Sequence, residues 1–236
     1  METSLHRDLK ALYATGRSQV EVPLDDYRID VVTARGRLVE IQHGSLAAIR
    51  DKIRKLVDDH SVLVVKPIVA RKILVKQDAK GGEVISRRLS PKRGTILNLF
   101  DELVYFTRVF PHKRLTLEVP LVEVEEWRYP GHGRRRRRRD NDFQVEDQRL
   151  VCVRETHRLR TARDLVELVS DQLNSGPLPR PFHTGHLAES LEVRRWIAQR
   201  IAYCLRKIGS IRQVGKSGNS CLYEFAARHR LAVNSN

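Results

Sequence analysis

The chain has 236 residues, 41% of them hydrophobic, and a formal net charge of +15 at neutral pH. That apolar share supports a packed core and excludes wholesale disorder, and the length allows one large domain or two to three small ones. The excess of Lys and Arg selects polyanionic partners, DNA or RNA before anionic membrane. No run approaches the ~18 apolar residues of a membrane span, so no membrane association is expected.

Three cysteines, Cys152, Cys204 and Cys221, are too widely spaced for a C-x-x-C zinc site. Free buried thiols fit a reducing compartment. The first residues, "METSLHRDLKALYATG", lack the apolar stretch of a secretory signal. A cytoplasmic protein is therefore expected.

In chain order, "SLHRDLKALYAT" spaces Leu5, Leu9 and Leu12 as a helix with Ser4 as candidate cap. "QVEVPL" and "RIDVV" read as strands, "RGR" as a turn, and "LVEIQH" as a third strand. "SLAAIRDKIRKLVDDH" is an amphipathic helix that Ser45 can cap, and "SVLVVKPIV" is one buried strand. The order is α-β-β-β-α-β, a mixed sheet flanked by helices.

Further on, "RKILVKQ" and "EVISRRL" form a hairpin around "DAKGG". "TILNLFDELVYFTRVF" reads as an apolar helix, and "RLTLEVPLVEVEEWRY" and "QRLVCVRETHRL" as long strands. Residues 91–172 either extend the first sheet or form an intervening α+β domain. "TARDLVELV" is a short helix, and "NSGPLPRPFHTGH" a Pro- and Gly-rich linker. Residues 184–236 then read as helix, turn, helix and β-hairpin, a winged helix-turn-helix in outline, with Thr184 as a candidate cap. Trp196, Tyr203 and Tyr223 are expected in its core.

The stretch "YRIDVVTARGRLVEIQHGSL" carries the chemistry. With Ala34-Arg35-Gly36 as a three-residue loop, Gly36 left-handed, paired positions sum to 70. Asp30 then sits across from Glu40, and Gln42 shares the Glu40 face because strand side chains alternate. Directly opposed carboxylates repel, and a divalent cation between them removes the penalty; hard oxygen ligands suit Mg²⁺ or Mn²⁺. A two-residue turn would shift the register by one and put Asp30 on the opposite face.

The residues "EVPLDDYRIDVV" and "GRLVEIQ" resemble the core of the PD-(D/E)XK nuclease superfamily, within the first 70 residues of a domain drawn at 1–90. The likeness is greatest to the branch typified by competence CoiA-like proteins, in which the third strand reads E-x-Q; archaeal Holliday-junction resolvases are more distantly similar. The resemblance implies a restriction-endonuclease-like mixed sheet flanked by helices. It implies Asp30 and Glu40 as metal-binding carboxylates, Gln42 at the position of the family's lysine, and Glu21 as a further acid. Ile29 stands where the family has Pro. Gln42 cannot carry a proton, so Lys52 on the next helix is the candidate for the missing cation. The implied chemistry is phosphodiester hydrolysis aided by Mg²⁺ or Mn²⁺, with Lys52 or Arg50 gripping a phosphate. Many nucleases of this kind act as homodimers, and no dimer face is legible.

DNA, double-stranded or branched, is the expected partner. The loop 131–141 carries Arg134, Arg135, Arg136, Arg137, Arg138 and Arg139, a run that charge repulsion keeps open and that binds phosphate without sequence preference. Arg194, Arg195, Arg200 and Lys207 lie on the long C-terminal helix, with Lys216 at the wing. The leading expectation is a metal-dependent DNA endonuclease held on DNA by the basic winged helix. The alternative is a nuclease-fold DNA-binding protein, a regulator or repair accessory, that has lost hydrolysis. An RNA-binding protein is a third reading, weakened by the lack of aromatic-rich strands.

Overall fold

A computed structural model describes residues 3–131 and 142–226. It is an α/β structure built on a large mixed sheet. The elements are α1 (Ser4–Tyr13), β1 (Gln19–Leu24), β2 (Tyr27–Val32), β3 (Leu38–Ile41), α2 (Arg50–Asp59), β4 (Val62–Val65), β5 (Ile68–Gln77), β6 (Val84–Leu89), α3 (Leu99–Leu103), β7 (Leu115–Pro130), β8 (Phe143–Leu159), α4 (Ala162–Ser170), α5 (Thr184–Ser190), α6 (Arg195–Lys207), β9 (Ile211–Ser217) and β10 (Ser220–Phe225). Among the described residues no helix is long and apolar enough to cross a membrane.

The chain forms two compact units that interleave in sequence. Among the described residues one comprises 3–43, 63–96, 118–131 and 142–157, the other 44–62, 97–117 and 158–226. The eight-stranded sheet runs β1-β2-β3-β4-β7-β5-β6, and β8 adds to β7. Of the two placements open for the central stretch, β7 and β8 take the first, because both belong to this sheet. β1 with β2, β2 with β3, and β5 with β6 pair antiparallel, and β5 with β7 pairs parallel.

In the first unit, α1 lays Leu5 and Leu9 on Val31, Val39, Ile41, Leu63, Val65, Val122 and Val124, which form one apolar cluster. Leu12, although on the same spacing, is exposed. The cap of α1 is Thr3, one residue ahead of Ser4; its hydroxyl accepts from the His6 N–H. "SVLVVKPIV" is two strands, not one, with Lys66 and Pro67 between β4 and β5. Proline has no N–H for a ladder, so a chain that reads as uninterrupted apolar strand stops there.

In the second unit, "TILNLFDELVYFTRVF" is not one long helix. A 3-10 turn at Ile96–Asn98 leads into α3, and turns follow from residue 104. Its apolar residues still serve the core, since Leu99, Phe100, Leu103 and Phe106 are fully buried. Ser45 caps a 3-10 turn at Leu46–Ile49, immediately before α2. Helices α4, α5 and α6 pack together, and β9 pairs with β10 around a two-residue Gly218-Asn219 turn. The Pro- and Gly-rich stretch before α5 is exposed over 174–181 apart from the half-buried Leu178, and it is anchored to this core through Phe182. Phe182 is 1% exposed and exchanges backbone hydrogen bonds with Tyr223, N–H to O at 3.0 and 2.7 Å.

The start of α5 is capped by His183 rather than Thr184; the His183 Nδ1 accepts from the Gly185 and His186 amides. A reciprocal capping box opens α4. Thr161 Oγ1 accepts from the Asp164 N–H at 3.2 Å, and Asp164 Oδ2 accepts from the Thr161 N–H at 3.0 Å and the Arg160 N–H at 2.6 Å. Burial raises the Asp164 pKa, but these donors outweigh it and hold the carboxyl below its ordinary range. The contribution of the charge is thus present above the unfolded-state pKa and is lost as pH falls through the lower folded value. Thr161→Ala is expected to cost about 1 kcal/mol, read from urea denaturation at neutral pH.

Candidate functional site

The β2–β3 hairpin sets the register of the site. The Thr33 N–H bonds to Arg37 O at 2.9 Å, Gly36 has φ of 74°, and Val32 and Val31 pair with Leu38 and Val39. The paired numbers sum to 70, as a three-residue loop requires. Asp30 therefore falls across from Glu40. β1 pairs with β2 through Val20–Val31 and Val22–Ile29, so Glu21 falls across from Asp30 on the other side. Three acids from three neighbouring strands thus occupy one row.

The row departs from regular sheet at two points. Glu21 has φ of 54°, a left-handed backbone that a side-chain-bearing residue adopts at a cost of about 1 kcal/mol or more. The Ile41 amide bonds not to a strand carbonyl but to Asp30 Oδ2, at 2.7 Å. A strand N–H lies in the plane of its sheet, so the Asp30 carboxylate is turned into the seam between β2 and β3. Val39 and Ile41 face Leu5 and Leu9, and alternation sends Glu40 to the opposite face, where it is 5% exposed.

Helix α1 supplies a polar stripe beside its apolar one. His6, Lys10 and Tyr13 recur at i, i+4 and i+7, and each meets an acid. The His6 Nε2 lies 3.3 Å from Asp30 Oδ1; the Lys10 ammonium pairs with Glu21, which also takes Arg28; the Tyr13 hydroxyl donates to Glu118 Oε1 at 2.6 Å. Burial by itself pushes the Asp30 carboxyl up. The bonds from His6 and the Ile41 amide, with the charges of His6 and Lys10, outweigh it and hold Asp30 below the usual aspartate range. Glu118 is 4% exposed, so Tyr13→Phe removes a bond from a buried carboxylate. A loss of about 1–2 kcal/mol is expected in chemical denaturation.

Cations approach from the far end of the row. The Gln42 backbone N–H donates to Val65 O, and the buried Lys66 ammonium donates to His43 O at 3.0 Å. Burial, with the charges of Lys66, Lys72 and His6, pushes the His43 pKa down, so the ring is neutral at pH 7. Lys72 pairs with the buried Glu126, which also takes Arg128 and, at 2.7 Å, the Gln148 amide. The first unit thus holds the expected Glu21, Asp30, Glu40 and Gln42. To these it adds His6, Lys10, Tyr13, Lys66 and Glu118, which the sequence reading passed over. The signal for three of them was present, as the i, i+4, i+7 stripe on α1. Lys66 and Glu118 carried none, because only the sheet order brings them in.

Lys52 and Arg50 lie on α2 in the second unit, where exposed Arg50 pairs with Asp51 at 3.3 Å. Arg134 to Arg139 lie outside the described residues. On α6 the expected cations Arg194, Arg195 and Lys207 are exposed, and Arg200 pairs with Asp101. The Arg195 guanidinium donates to Ser220 Oγ at 3.1 Å, at the end of the β9–β10 turn, and Lys216 sits on β9 opposite Cys221. Trp196 and Tyr203, expected in the core, are instead exposed by 43% and 39%. The core side of α6 is filled by Ala198, Ile201, Ala202, Cys204 and Leu205, and burial pushes the Cys204 thiol up to about 12.

As metal ligands, Asp30 and Glu40 offer hard oxygens of the right kind for Mg²⁺ or Mn²⁺, which complete their shells with water and phosphate. Among the described residues no group of three or more His, Cys, Asp or Glu side chains gathers to hold a metal ion. The fit therefore rests on this pair. Asp30 is held in the seam and by His6 of α1, whereas Glu40 points to the face away from α1, so as placed the two carboxylates do not share an ion; joint binding requires Asp30 Oδ1 to leave His6 and turn toward Glu40.

A family described as "Domain of unknown function (DUF8091)" matches residues 3–160, and the chain belongs to it. The match runs from α1 to the end of β8, so it contains the whole acid row. A protein of Treponema pallidum (strain Nichols), described as an uncharacterized protein, is 28% identical over 172 residues, covering 73% of this chain and 67% of its own. No solved structure matches the chain.

Proposed function

We propose that the chain is a metal-dependent DNA nuclease of the PD-(D/E)XK kind, held on DNA by a winged helix. The observation that carries the reading is the row of Glu21, Asp30 and Glu40 across β1, β2 and β3, with Asp30 where its carboxylate interrupts the ladder to β3. Buried acids beside buried cations are costly to fold and are a recurrent mark of functional sites. Asp30 and Glu40 would hold Mg²⁺ or Mn²⁺, with Gln42 next along the strand. The bound ion would supply a water of lowered pKa and offset charge on the phosphate. His6 and Lys10 hold Asp30 and Glu21 in place, and the buried Lys66 ammonium donates to the carbonyl of His43, the residue after Gln42. It is a stronger candidate than Lys52 for the role of the missing lysine.

The winged-helix reading rests on the order in the second unit: α4, a one-residue strand at Phe182 bridged to β10, α5, α6, and the β9–β10 hairpin. In such modules the last helix enters a groove and the hairpin touches the backbone. Arg194, Arg195 and Lys207 are exposed on or beside that helix, in keeping with the chain's net charge of +15.

A second reading, a nuclease fold that binds DNA without cutting it, is favoured by one observation. Lys10 and Arg28 both neutralise Glu21, so that acid has protein cations where a catalytic site would leave it to a metal. The deciding experiment incubates the purified protein with Mg²⁺ or Mn²⁺ and supercoiled, linear, branched and single-stranded DNA. Metal-dependent cleavage of any form supports the first reading. Binding of DNA with no cleavage of any form selects the second.

A further inference from the structure

Helix α6 carries a surface that a groove-reading helix does not need. Trp196 and Tyr203 stand seven residues apart, two turns of one helix and about 10 Å along its axis at 1.5 Å per residue. Trp196 is 43% and Tyr203 39% exposed, while smaller residues fill the core side of the helix. Each has a cation four residues further on. The Arg200 guanidinium lies 4.7 Å from the Trp196 ring centre, and the Lys207 ammonium 5.7 Å from that of Tyr203. From Arg194 to Lys207 there are five basic residues, Arg194, Arg195, Arg200, Arg206 and Lys207, and no acid. At the start of the helix Arg195 reaches the hairpin turn, so the stripe continues onto β9 and β10.

Duplex DNA is read through hydrogen bonds to base edges, which Arg, Lys, Asn and Gln supply. Its base faces are buried in the stack and are closed to an aromatic ring. Exposed rings interleaved with cations match the opposite ligand, a strand whose bases are unstacked and whose phosphates run alongside. A protein partner would have to cover the four cations that remain once Arg200 is paired with Asp101, and the helix itself offers no acid for it to pair with. We infer that α6 is a stacking platform for unpaired nucleotides of a DNA strand, with Trp196 and Tyr203 under separate bases and Arg195, Arg206 and Lys207 along the phosphates, while Arg200 stays on Asp101 and the Trp196 ring. This rests on the DNA reading above but has α6 meet an unpaired segment of the substrate instead of a duplex groove, and it names the substrate class: DNA with a single-stranded segment, such as a fork, flap or tail.

The test uses the full chain and fluorescence anisotropy with labelled oligo-dT, a duplex of equal length, and an oligo-rU control. Trp196→Ala with Tyr203→Ala is expected to weaken oligo-dT binding by about tenfold or more, stacking being the lost interaction. Duplex affinity should change less than about threefold and the thermal midpoint should stay put, since both side chains are on the surface. Trp196→Phe with Tyr203→Phe should restore most of the binding. In a Trp127→Phe background Trp196 is the sole tryptophan, and oligo-dT but not duplex should quench it. Equal losses on both DNA forms, no loss on either, no quenching, or tighter binding of oligo-rU than of oligo-dT would each overturn the assignment. If the wild-type protein binds no DNA at all, the DNA reading itself fails; duplex binding with indifference to the aromatic changes sinks the platform alone.

Discussion

Asp30→Asn is expected to lower the proposed metal-dependent DNA cleavage by on the order of a thousandfold while leaving the protein folded. The substitution keeps an oxygen for the Ile41 amide, which bonds the carboxylate at 2.7 Å, so the seam between β2 and β3 stays closed. What is lost is the charge. An amide is a poor ligand for a hard dication and leaves the second carboxylate without its counterpart. Glu40→Gln should act in the same direction. Titration calorimetry with Mn²⁺ provides the independent readout, with heat from the wild type and none from either variant. Asp30→Ala would be a poorer test, because it also strands a backbone N–H at a cost of about 1–3 kcal/mol and confuses fold with chemistry. Cleavage by Asp30→Asn at wild-type rate would remove Asp30 from the site and with it the reading of the acid row.

Phe182→Ala is the largest stability effect expected in the second unit, about 3–5 kcal/mol. The ring is 1% exposed and packs 6.0 Å from Tyr223 and 5.4 Å from Phe225, centre to centre. Truncation leaves a cavity between the segment before α5 and β10, and the flanking backbone bridge to Tyr223 loses the packing that holds it. Phe182→Leu retains much of the volume and should cost much less. Chemical denaturation followed by tryptophan fluorescence checks both, since Trp196 lies in this unit. A loss under about 1 kcal/mol for Phe182→Ala would mean that the stretch is the loose linker its composition indicates.

That stretch shows where composition misleads. "NSGPLPRPFHTGH" has the Pro and Gly of a connector, and it is exposed as one, but a single buried aromatic, Phe182, fixes its end to a core. The same holds for "SVLVVKPIV", where a run of apolar residues conceals a break at Lys66-Pro67, and for "TILNLFDELVYFTRVF", where an apolar run is buried without being one helix. Trp196 and Tyr203 err in the other direction, as large aromatics on the solvent side of a helix whose core side is filled by smaller residues.

The sequence by itself determined what depends on neighbours along the chain. The loop Ala34-Arg35-Gly36 fixed the hairpin register, because a left-handed glycine at its third position permits one pairing, and that pairing set Asp30 across from Glu40. The first strands and helices were legible for the same reason, since side-chain periods of 2 and 3.6 are local. Only the tertiary structure decided what surrounds the carboxylates. Glu118, Lys66 and the α1 stripe reach the row through a sheet order, β3-β4-β7, that joins segments over 70 residues apart in the chain. The energies that choose such an order come from burying whole apolar faces, as Leu5 and Leu9 do on four strands, and no short window of sequence contains them.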